Sequence, residues 1–574
     1  MVVRGPGAPV PWRSPVLRGA LPTGRAQTQR TGPAGAVRAQ GVGVAASDDA
    51  PAGTPAGPPS PDDEPAAPVP ARFGDHSGSS VLRGGAWSAA ANILPMGSTL
   101  ALSVVISRVL GAEVLGEQSL VAYVASLMVS VLIYSFTSAS VQLVAAAGGA
   151  GDTARLAHLG RWSMGAHLVG GGVAVVVLVG TGLGRDSYNL IWYLAAATAL
   201  VDAVGWGLAS RHIARHGWSA TSARRLVSQA LTPLLGIAAV LLGAGVAGVF
   251  ATQLLVSIGL LVALRRLERR DPLPSPVGLP APAALPVLRL WSLFALAALV
   301  TQVVDRRLEL VFLDLYRSAV EVAQYSVAFN VVGIALVVCS SLVAASVPAV
   351  AAAHGAGEHD RVVTGMSRAA RVLAAVSVLL AAGVAAVGPA VVLAFWGGEF
   401  TEAARVVRLL AVALVVTPLG ALCTAYWTGT GRLRPVLLCG GTGAVVDIAL
   451  AVLLIPDHGT TGAVVATLSG QGSAALLIIG HTLRTGLRLR VSPVALLRVA
   501  LVAVVAGAAA AAVTAALASP WLALVLGGAT FVVLAAVGLR LVGLVDAEDG
   551  RWLVDTLPGP AARGLRLLTP ARSR

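Results

Sequence analysis

The sequence predicts an all-α polytopic membrane protein with about fourteen transmembrane helices. Three observations lead to this fold class: a mean hydropathy of +0.80, a charged fraction of only 12%, and apolar segments that recur along the chain. A soluble protein of this size has about 25% charged residues. Because each segment reaches the roughly 20 residues that a helix needs to cross a bilayer, the chain is predicted to cross the membrane many times.

The N-terminal part of the chain differs from the rest. Residues 1–80 are rich in Pro, Gly and Ala, with scattered Arg followed by a group of acidic residues. None of their apolar runs is long enough for the hydrophobic region of a signal peptide. This composition favours a disordered cytoplasmic tail.

The predicted spans then follow in order as two six-helix lobes and two further helices. The predicted spans are 84–108, 118–143, 162–183, 188–210, 224–243, 246–264, 288–312, 322–349, 369–394, 405–427, 435–455, 461–483, 493–517 and 521–543. The predicted domains are the tail at 1–80, an N-lobe at 81–264 (spans one to six), a cytoplasmic linker at 265–287, a C-lobe at 288–483 (spans seven to twelve), spans thirteen and fourteen within 484–545, and a cytoplasmic tail at 546–574.

Arginine alternates between the loops in a way that predicts the orientation. The chain contains no Lys, so all 41 basic residues are Arg. Twenty arginines fall in or beside loops on one side, and five fall on the other side. Because cytoplasmic loops carry the excess of positive charge, both termini are predicted to lie in the cytoplasm of a multi-pass cell-membrane protein. The net charge of +14 therefore indicates cytoplasmic loops and contact with anionic lipids rather than nucleic acid.

A linker and a short repeat separate the two predicted lobes. The stretch "LRRLERRDPLPSPVGLPAPAALP" joins span six to span seven, and its Pro content and charge are typical of a linker. In addition, "VLGEQSLVAY" from Val114 aligns with "VEVAQYSVAF" from Val320. Each stretch opens the second span of its lobe. The lobes are therefore predicted to be a parallel pseudo-repeat about an axis along the membrane normal.

Several classes of chemistry are not supported by the sequence. A Walker A motif needs its Lys, so the chain is not a P-loop ATPase. The loops are short, which argues against an enzyme with an extramembrane catalytic domain. "HGAGEHD" from His354 lacks the HExxH spacing and is interpreted as a solvated loop. Cys339, Cys423 and Cys439 lie in apolar segments without ligand spacing. No metal site and no cofactor is predicted.

Ionisable residues within spans are the candidate functional residues, because each is costly in lipid and tends to face a cavity. The stretch "VTQVVDRRLELVF" places Asp305, Arg306, Arg307 and Glu309 in span seven. On one continuous helix Gln302, three residues before Asp305, would share a polar face with Asp305, Arg306 and Glu309. Two interpretations stay open: an internal ion pair between Arg306 and its acidic neighbours, or arginines that bind an anionic substrate group.

Two further carboxyl groups lie within predicted spans. Asp202 lies in span four and Asp447 lies near the middle of span eleven. Each is a candidate for proton or cation coupling or for a hydrogen bond between helices. Asn330 and several Gln residues add uncharged polar groups that would suit a hydroxyl-rich ligand. The predicted substrate-binding residues are Arg306, Arg307, Gln302 and Asn330, and the predicted coupling or ion-pair residues are Asp305, Glu309, Asp202 and Asp447.

Three motifs carry a resemblance to a known family. "ISRVLGAEVLGEQSLVAY" from Ile106 is similar to the turn between spans one and two of the oligosaccharide flippases. "AFWGGEFTEAARVVRLLAVAL" from Ala394 resembles their turn before span ten, and "LLIPDHGTTGAVVATL" from Leu453 resembles their turn between spans eleven and twelve. "VVDRRLELVFLD" from Val303 stands where this family often has an Asp in span seven, but paired arginines are unusual there. The chain resembles the Wzx-like polysaccharide exporters of the multidrug/oligosaccharidyl-lipid/polysaccharide (MOP) superfamily from about residue 84 to 543.

The resemblance implies two lobes arranged as a V around a central cavity that is often cationic. It implies a polyprenyl-diphosphate-linked oligosaccharide as the substrate, which would cross the membrane as the lobes rock to alternate access. Coupling would come from an ion gradient or the membrane potential. Implied partners are membrane lipids and polysaccharide polymerases or glycosyltransferases. Alternatives are a flippase for the peptidoglycan lipid precursor, a drug or cation antiporter of the same superfamily, and, in another class, a membrane glycosyltransferase or polymerase.

Overall fold

The computed structural model describes residues 97–542, apart from 150–151, 186–187, 215–217, 271–283, 306–307, 345, 486, 488 and 490–491. By its internal contacts the chain divides at residue 72, and every described residue belongs to the unit that follows. All regular elements in the described part are helices. The all-α fold class is therefore confirmed.

Eight helical elements precede the long connection at 271–283, and together we name them the first group. They are α1 (Gly97–Leu110), α2 (Ala112–Met128), a π-helical segment (Val129–Tyr134), α3 (Ser135–Gly149), α4 (Thr153–Leu183), α5 (Asn189–Ala214), α6 (Trp218–Leu241) and α7 (Gly245–Arg270). Helices α3, α4, α5, α6 and α7 pack mainly on one another.

The helices after residue 283 form the second group. They are α8 (Ala284–Asp305), α9 (Glu309–Tyr316), α10 (Ala319–Ala344), α11 (Ser346–Gly355), α12 (His359–Phe395), a 3₁₀ turn (Gly398–Phe400), α13 (Thr401–Leu410), α14 (Ala413–Gly429), α15 (Arg434–Arg484), α16 (Pro493–Ala516) and α17 (Pro520–Val542). The last two helices pack on each other and on α12.

Every one of the fourteen predicted spans overlaps a helix of the structure. By length and apolar composition, nine helices within the described residues could cross a membrane, and a bent pair around α13 and α14 would make ten. The count is lower than fourteen for physical reasons. Span seven is divided between two shorter helices, α15 contains spans eleven and twelve, and α6 carries the charged pair Arg224 and Arg225 in its second turn.

Two breaks give the second group its shape. Helix α8 ends at Asp305 and α9 begins at Glu309, and residues 306–307 between them lie outside the described part. Both helices pack on α15, and α8 also packs on α3. Within α15, Gly459 has φ 52° and ψ −130°, which folds the second half of the helix back along the first. Only glycine adopts such a backbone conformation readily.

The two ends of the bundle are named by their loops. The Arg185 end contains residues 184–185, 188, 317–318 and 396–400, and the sequence predicts that it faces the exterior. The Arg361 end contains residues 356–358 and 431–433, and the sequence predicts that it faces the cytoplasm. Large apolar side chains are widely exposed along the helices between the two ends, for example Val176 at 72% and Leu541 at 82%. Such a surface is suited to lipid.

Candidate functional sites

The structure brings two predicted coupling residues, Glu309 and Asp447, together in the second group. Glu309 begins α9 and is 1% exposed, while Asp447 in the first half of α15 is 3% exposed. Their carboxyl groups lie within electrostatic and hydrogen-bonding reach of each other. A close pair of buried carboxylates cannot both stay ionised without compensation, so a proton or a cation must accompany this pair.

Two hydroxyl groups complete the carboxyl pair, and we name these four residues the carboxyl cluster. Thr467, in the second half of α15, donates its hydroxyl hydrogen to Glu309 Oε1. Tyr325 of α10 is buried, and its hydroxyl lies 2.6 Å from Thr467 Oγ1. The Glu309 carboxyl group therefore rests on a hydrogen-bond chain that joins α9, α10 and α15, and α15 also carries Asp447. Neither Thr467 nor Tyr325 was predicted as a site residue.

Each carboxyl group keeps one oxygen unused. Glu309 Oε2 and Asp447 Oδ1 are buried and form no hydrogen bond within the part of the chain that the structure describes. Small residues let the backbone approach closely here: a Cβ on Gly470 would lie 2.5 Å from the Asp447 Cβ. Two carboxyl oxygens beside two hydroxyls offer the hard oxygen ligands suited to a proton or a small hard cation. Among the described residues, no cluster of three or more His, Cys, Asp or Glu side chains could hold a metal ion.

The first group contains a different polar cluster, around Arg225 of α6. The guanidinium carbon of Arg225 lies 3.1 Å from the centroid of the Trp206 ring. The ring of Tyr134, in the π-helical segment, meets Trp206 edge to face at 5.2 Å. Asp202 of α5 attracts Arg225 electrostatically and hydrogen-bonds to Ser257 of α7. We name these five residues the arginine cluster.

Arg225 has unused donor capacity. Its Nε is buried without a hydrogen-bond partner in the described part of the chain. A guanidinium carries five N–H donors in a planar fork that matches phosphate and carboxylate oxygens. The sequence analysis counted Arg225 among the cytoplasmic arginines and missed it as a site residue. The available signal was its position eight residues into α6, combined with an Asp in a neighbouring predicted span.

The remaining predicted site residues are placed only in part. Gln302 and Asp305 belong to the last turn of α8, but their side chains lie outside the described part, as do Arg306 and Arg307 altogether. Asn330 is half-buried in α10. The expected polar face of Gln302, Asp305, Arg306 and Glu309 assumed one continuous helix, whereas Glu309 starts a separate one. The roles predicted for the span-seven arginines stay predictions.

An ion-pair network joins the two groups at the Arg185 end. Arg185 lies 3.0 Å from Glu117 of α2 and also pairs with Asp314 of α9. Its guanidinium lies 5.4 Å from the centre of the Trp192 ring. Burial acts to lower the pKa of Arg185, but its hydrogen bonds and attraction to Asp314 and Glu117 outweigh burial and raise that pKa. Arg185 therefore stays charged and links the first group to the second.

The motifs that carry the family resemblance meet at this same end. Arg108, in the first motif, donates through Nε to the Phe395 carbonyl at 2.8 Å and through a terminal nitrogen to the Ala394 carbonyl at 2.9 Å. The indole of Trp396 donates to Ser103 Oγ at 3.0 Å. Arg108 thereby satisfies carbonyls at the C-terminal end of α12, where a positive charge is favourable. The first and second motifs therefore form a contact between the groups, whereas the third motif lies within the second group and contains Thr467.

Comparisons with known proteins agree with this architecture. Residues 295–453 match the MatE family model. The structure of the lipid II flippase MurJ in an inward closed conformation is similar, with a TM-score of 0.62, 11% identity, and coverage of 79% of this chain and 99% of that one. An inward-facing multidrug resistance MATE family transporter of the MOP superfamily gives a TM-score of 0.55 with 18% identity, covering 69% of this chain and 96% of that one.

The outward-facing conformation of a multidrug resistance MATE family transporter of the MOP superfamily is also similar, with a TM-score of 0.52 and 17% identity, covering 71% of this chain and 96% of that one. A comparison with curated proteins finds no match. At these identities the solved structures show the fold alone. The chain therefore has a MATE- and MurJ-like transporter fold and contains a region that matches the MatE family model.

Proposed function

We propose that this protein flips a polyprenyl-diphosphate-linked oligosaccharide across the cell membrane by alternating access, for the synthesis of a cell-surface polysaccharide. The observation that carries the proposal is Arg225: a guanidinium within the helical bundle, stacked on Trp206, whose Nε–H has no hydrogen-bond partner among the described residues. A diphosphate supplies the acceptors that such a fork lacks. The resemblance of three motifs to oligosaccharide flippases supports the same substrate class.

The arginine cluster has suitable chemistry for this ligand. Trp206 holds the guanidinium by a cation–π contact, which keeps the cation in place when it is desolvated. Asp202 lowers the cost of burying a positive charge while no ligand is bound. Tyr134 is 52% exposed, and an aromatic ring with a hydroxyl offers both a stacking face and a hydrogen bond to a sugar. The lipid tail of the substrate would remain in the bilayer.

The carboxyl cluster would couple this movement to an ion gradient. Binding of a proton or a small cation between Glu309 and Asp447 would neutralise a buried negative charge that is otherwise costly. Such binding stabilises whichever conformation brings the two carboxyl groups together. Release on the other side of the membrane would reverse the preference. The energy available per proton or cation is the transmembrane gradient, about 2.3 kcal/mol for each charge and 100 mV.

A second candidate is a flippase for the peptidoglycan lipid precursor. The likeness to the lipid II flippase MurJ in fold favours it, and a diphosphate would satisfy Arg225 equally. A drug or cation antiporter fits the carboxyl cluster but gives Arg225 no role. The two flippase candidates differ only in the glycan that they carry, so the glycan is the variable to test.

The test is a leaflet assay in sealed vesicles that contain the full-length protein. Labelled polyprenyl-diphosphate oligosaccharide and labelled lipid II are placed on one side, with and without a proton or sodium gradient. We expect gradient-dependent movement of a diphosphate-linked glycan and at least tenfold less movement of the same glycan on a monophosphate, because one charge-assisted contact is lost. Movement of lipid II alone would assign the second candidate. Transport of organic cations with no movement of either glycolipid would contradict the proposal.

A further inference from the structure

A groove opens between the two groups, away from both clusters, in the half of the bundle next to the Arg361 end. Its volume is about 360 Å³. Helix α4 contributes Arg161, Trp162 and Gly165 to its walls, and α8 contributes Val287, Leu288 and Trp291. Helix α4 belongs to the first group and α8 to the second, so any occupant touches both.

The chemistry of the groove is that of an apolar slot with one positive charge. The contributing positions of α8 are spaced three and four residues apart, so they form one apolar face. Leu288 is 55% exposed and Leu285, one turn earlier, is 77% exposed, which makes the slot continuous with the lipid-facing surface. Arg161 lies about 12 Å along α4 from its first residue at 1.5 Å per residue. A side chain of this length reaches from that depth to the headgroup region.

The polar atoms of the groove have no protein partners within the described residues. Arg161 forms no ion pair or hydrogen bond with them, whereas Arg211 of α5 pairs with Glu268. Trp291 is 8% exposed, and its Nε1–H is buried without an acceptor. Its ring packs on Phe136 at a centroid distance of 5.7 Å, which fixes it as a wall of the slot. An unpaired cation beside an apolar slot calls for an anion that carries an apolar chain.

We propose that this groove binds an anionic glycerophospholipid from the adjacent leaflet. Its phosphate contacts the Arg161 guanidinium, and an acyl chain lies along the α8 face between Trp162 and Trp291. A zwitterionic lipid carries its own cation, which competes with Arg161 for the phosphate, so the site prefers a net negative headgroup. Because the lipid touches α4 and α8 at once, its retention depends on the relative position of the two groups, and it stabilises the arrangement described here.

The experiment measures which phospholipids stay with the protein. The full-length protein is extracted from vesicles that contain equal amounts of phosphatidylglycerol and phosphatidylcholine, and the retained lipids are counted by native mass spectrometry. We expect the wild-type protein to retain phosphatidylglycerol preferentially. Arg161→Gln should reduce that retention by about tenfold, the effect of losing one charge-assisted hydrogen bond. Arg161→Lys should keep most of it.

Two further variants separate the groove from general surface charge. Gly165→Leu fills the slot without changing charge, and a Cβ at Gly165 meets nothing within 4 Å, so the helix accepts it. We expect this variant to lose phosphatidylglycerol as Arg161→Gln does. Arg289→Gln removes the same charge from α8, but residue 289 points away from the lining face. This control should retain the wild-type preference.

Three results would overturn the proposal. Equal losses in Arg161→Gln and Arg289→Gln would indicate a diffuse electrostatic effect. Wild-type retention in Gly165→Leu would show that the lipid lies elsewhere. A disulfide between a cysteine placed at 165 and one placed within 271–283 would assign the groove to the linker of this chain. The thermal unfolding midpoint of each variant is compared with that of the wild type, so that misfolding is not mistaken for lipid loss.

Discussion

The two helical groups solve the problem of buried charge in opposite ways. In the first group Arg225 is covered by the Trp206 ring and faces a single acid, Asp202, so the cluster has a cation and leaves donors unused. In the second group Glu309 and Asp447 face each other, so that cluster leaves acceptors unused. The first cluster therefore offers an unused donor, and the second offers unused acceptors.

This difference assigns separate tasks to the two clusters. Buried groups with unsatisfied hydrogen-bonding capacity are costly, and proteins keep them where a ligand completes them. Under the proposed function, an anionic substrate would complete the arginine cluster, and a coupling ion would complete the carboxyl cluster. The arginine cluster would bind a coupling cation poorly, and the carboxyl cluster would bind an anionic substrate poorly. Evidence that one cluster binds both ligands would contradict this division of tasks.

The largest expected effect comes from the carboxyl cluster. Glu309→Gln and Asp447→Asn should each reduce gradient-driven transport by roughly tenfold or more, because a charge-assisted interaction of about 1.5–3 kcal/mol is removed. The double variant should be no worse than either single variant, since the two residues act as a unit. Substrate binding without a gradient should be unchanged. Glu358→Gln, an exposed acid paired with Arg361, is the matched control.

A double variant whose loss equals the product of the two single losses would separate Glu309 from Asp447 and break the shared-ion interpretation. The measurement is the initial rate of glycolipid movement at fixed protein density, with the gradient imposed and then collapsed. The wild type should retain a slow rate of glycolipid movement after the gradient is collapsed. A variant that loses this residual rate as well is a damaged transporter rather than an uncoupled one.

The second prediction concerns the arginine cluster. Arg225→Gln should raise the half-saturating substrate concentration by about tenfold, and Arg225→Lys should raise it less, because an ammonium keeps the charge but loses the planar fork. The dependence on the ion gradient should stay as in the wild type. Arg224→Gln removes a neighbouring charge of the same helix and should have little effect. A change in ion dependence for Arg225→Gln would show that the clusters do not have separate tasks.

The all-α fold was predicted correctly from the sequence, and single residues were marked as candidates whose roles stay predictions, but the contacts between those residues were not predicted. The apolar segments gave the helices because hydropathy and length decide which segments can cross a bilayer. Glu309 and Asp447 were each recognised, since a carboxyl group within a span is rare. Their contact was not predicted, because the two residues lie on different helices, α9 and α15. The contact of Glu309 with Thr467, 158 residues away, forms only after α15 folds back at Gly459. No local pattern in a sequence encodes such a contact.

Arg225 was not predicted as a site residue, for a different reason. Arginines near the start of a predicted span are usually counted as cytoplasmic, and that count served the topology well. Only the packing of α5 against the π-helical segment and α7 shows that Trp206, Tyr134 and Ser257 surround the Arg225 and Asp202 pair. The resemblance motifs divide in a comparable way: the first and second contact each other between the groups, whereas the third contains Thr467 of the carboxyl cluster.

The smallest expected effect concerns the ion pairs of Arg185, which join the first group to the second. Arg185→Gln should increase opening of the Arg185 end by about threefold, because partly exposed ion pairs contribute modestly. Exchange of the charges, Arg185→Asp with Asp314→Arg, should restore part of the closed population. Arg405→Gln is the control, since Arg405 pairs with Glu402 within α13 at the same end. The measurement is the labelling rate of a cysteine introduced beneath the contact, and an unchanged rate in Arg185→Gln would remove Arg185 as a link between the groups.

The division of span seven has a mechanical consequence. A single continuous helix cannot stay packed on two helical groups that move apart, whereas two helices joined end to end can. Helix α8 packs on α3 and the π-helical segment of the first group and also on α15 of the second, whereas α9 packs mainly on α10 and α15 of the second. Under the proposed alternating access, movement of the first group would slide α8 along α15 while Glu309, at the start of α9, stays beside Asp447. The coupling ion would then remain bound during the conformational change and be released only when that change is complete.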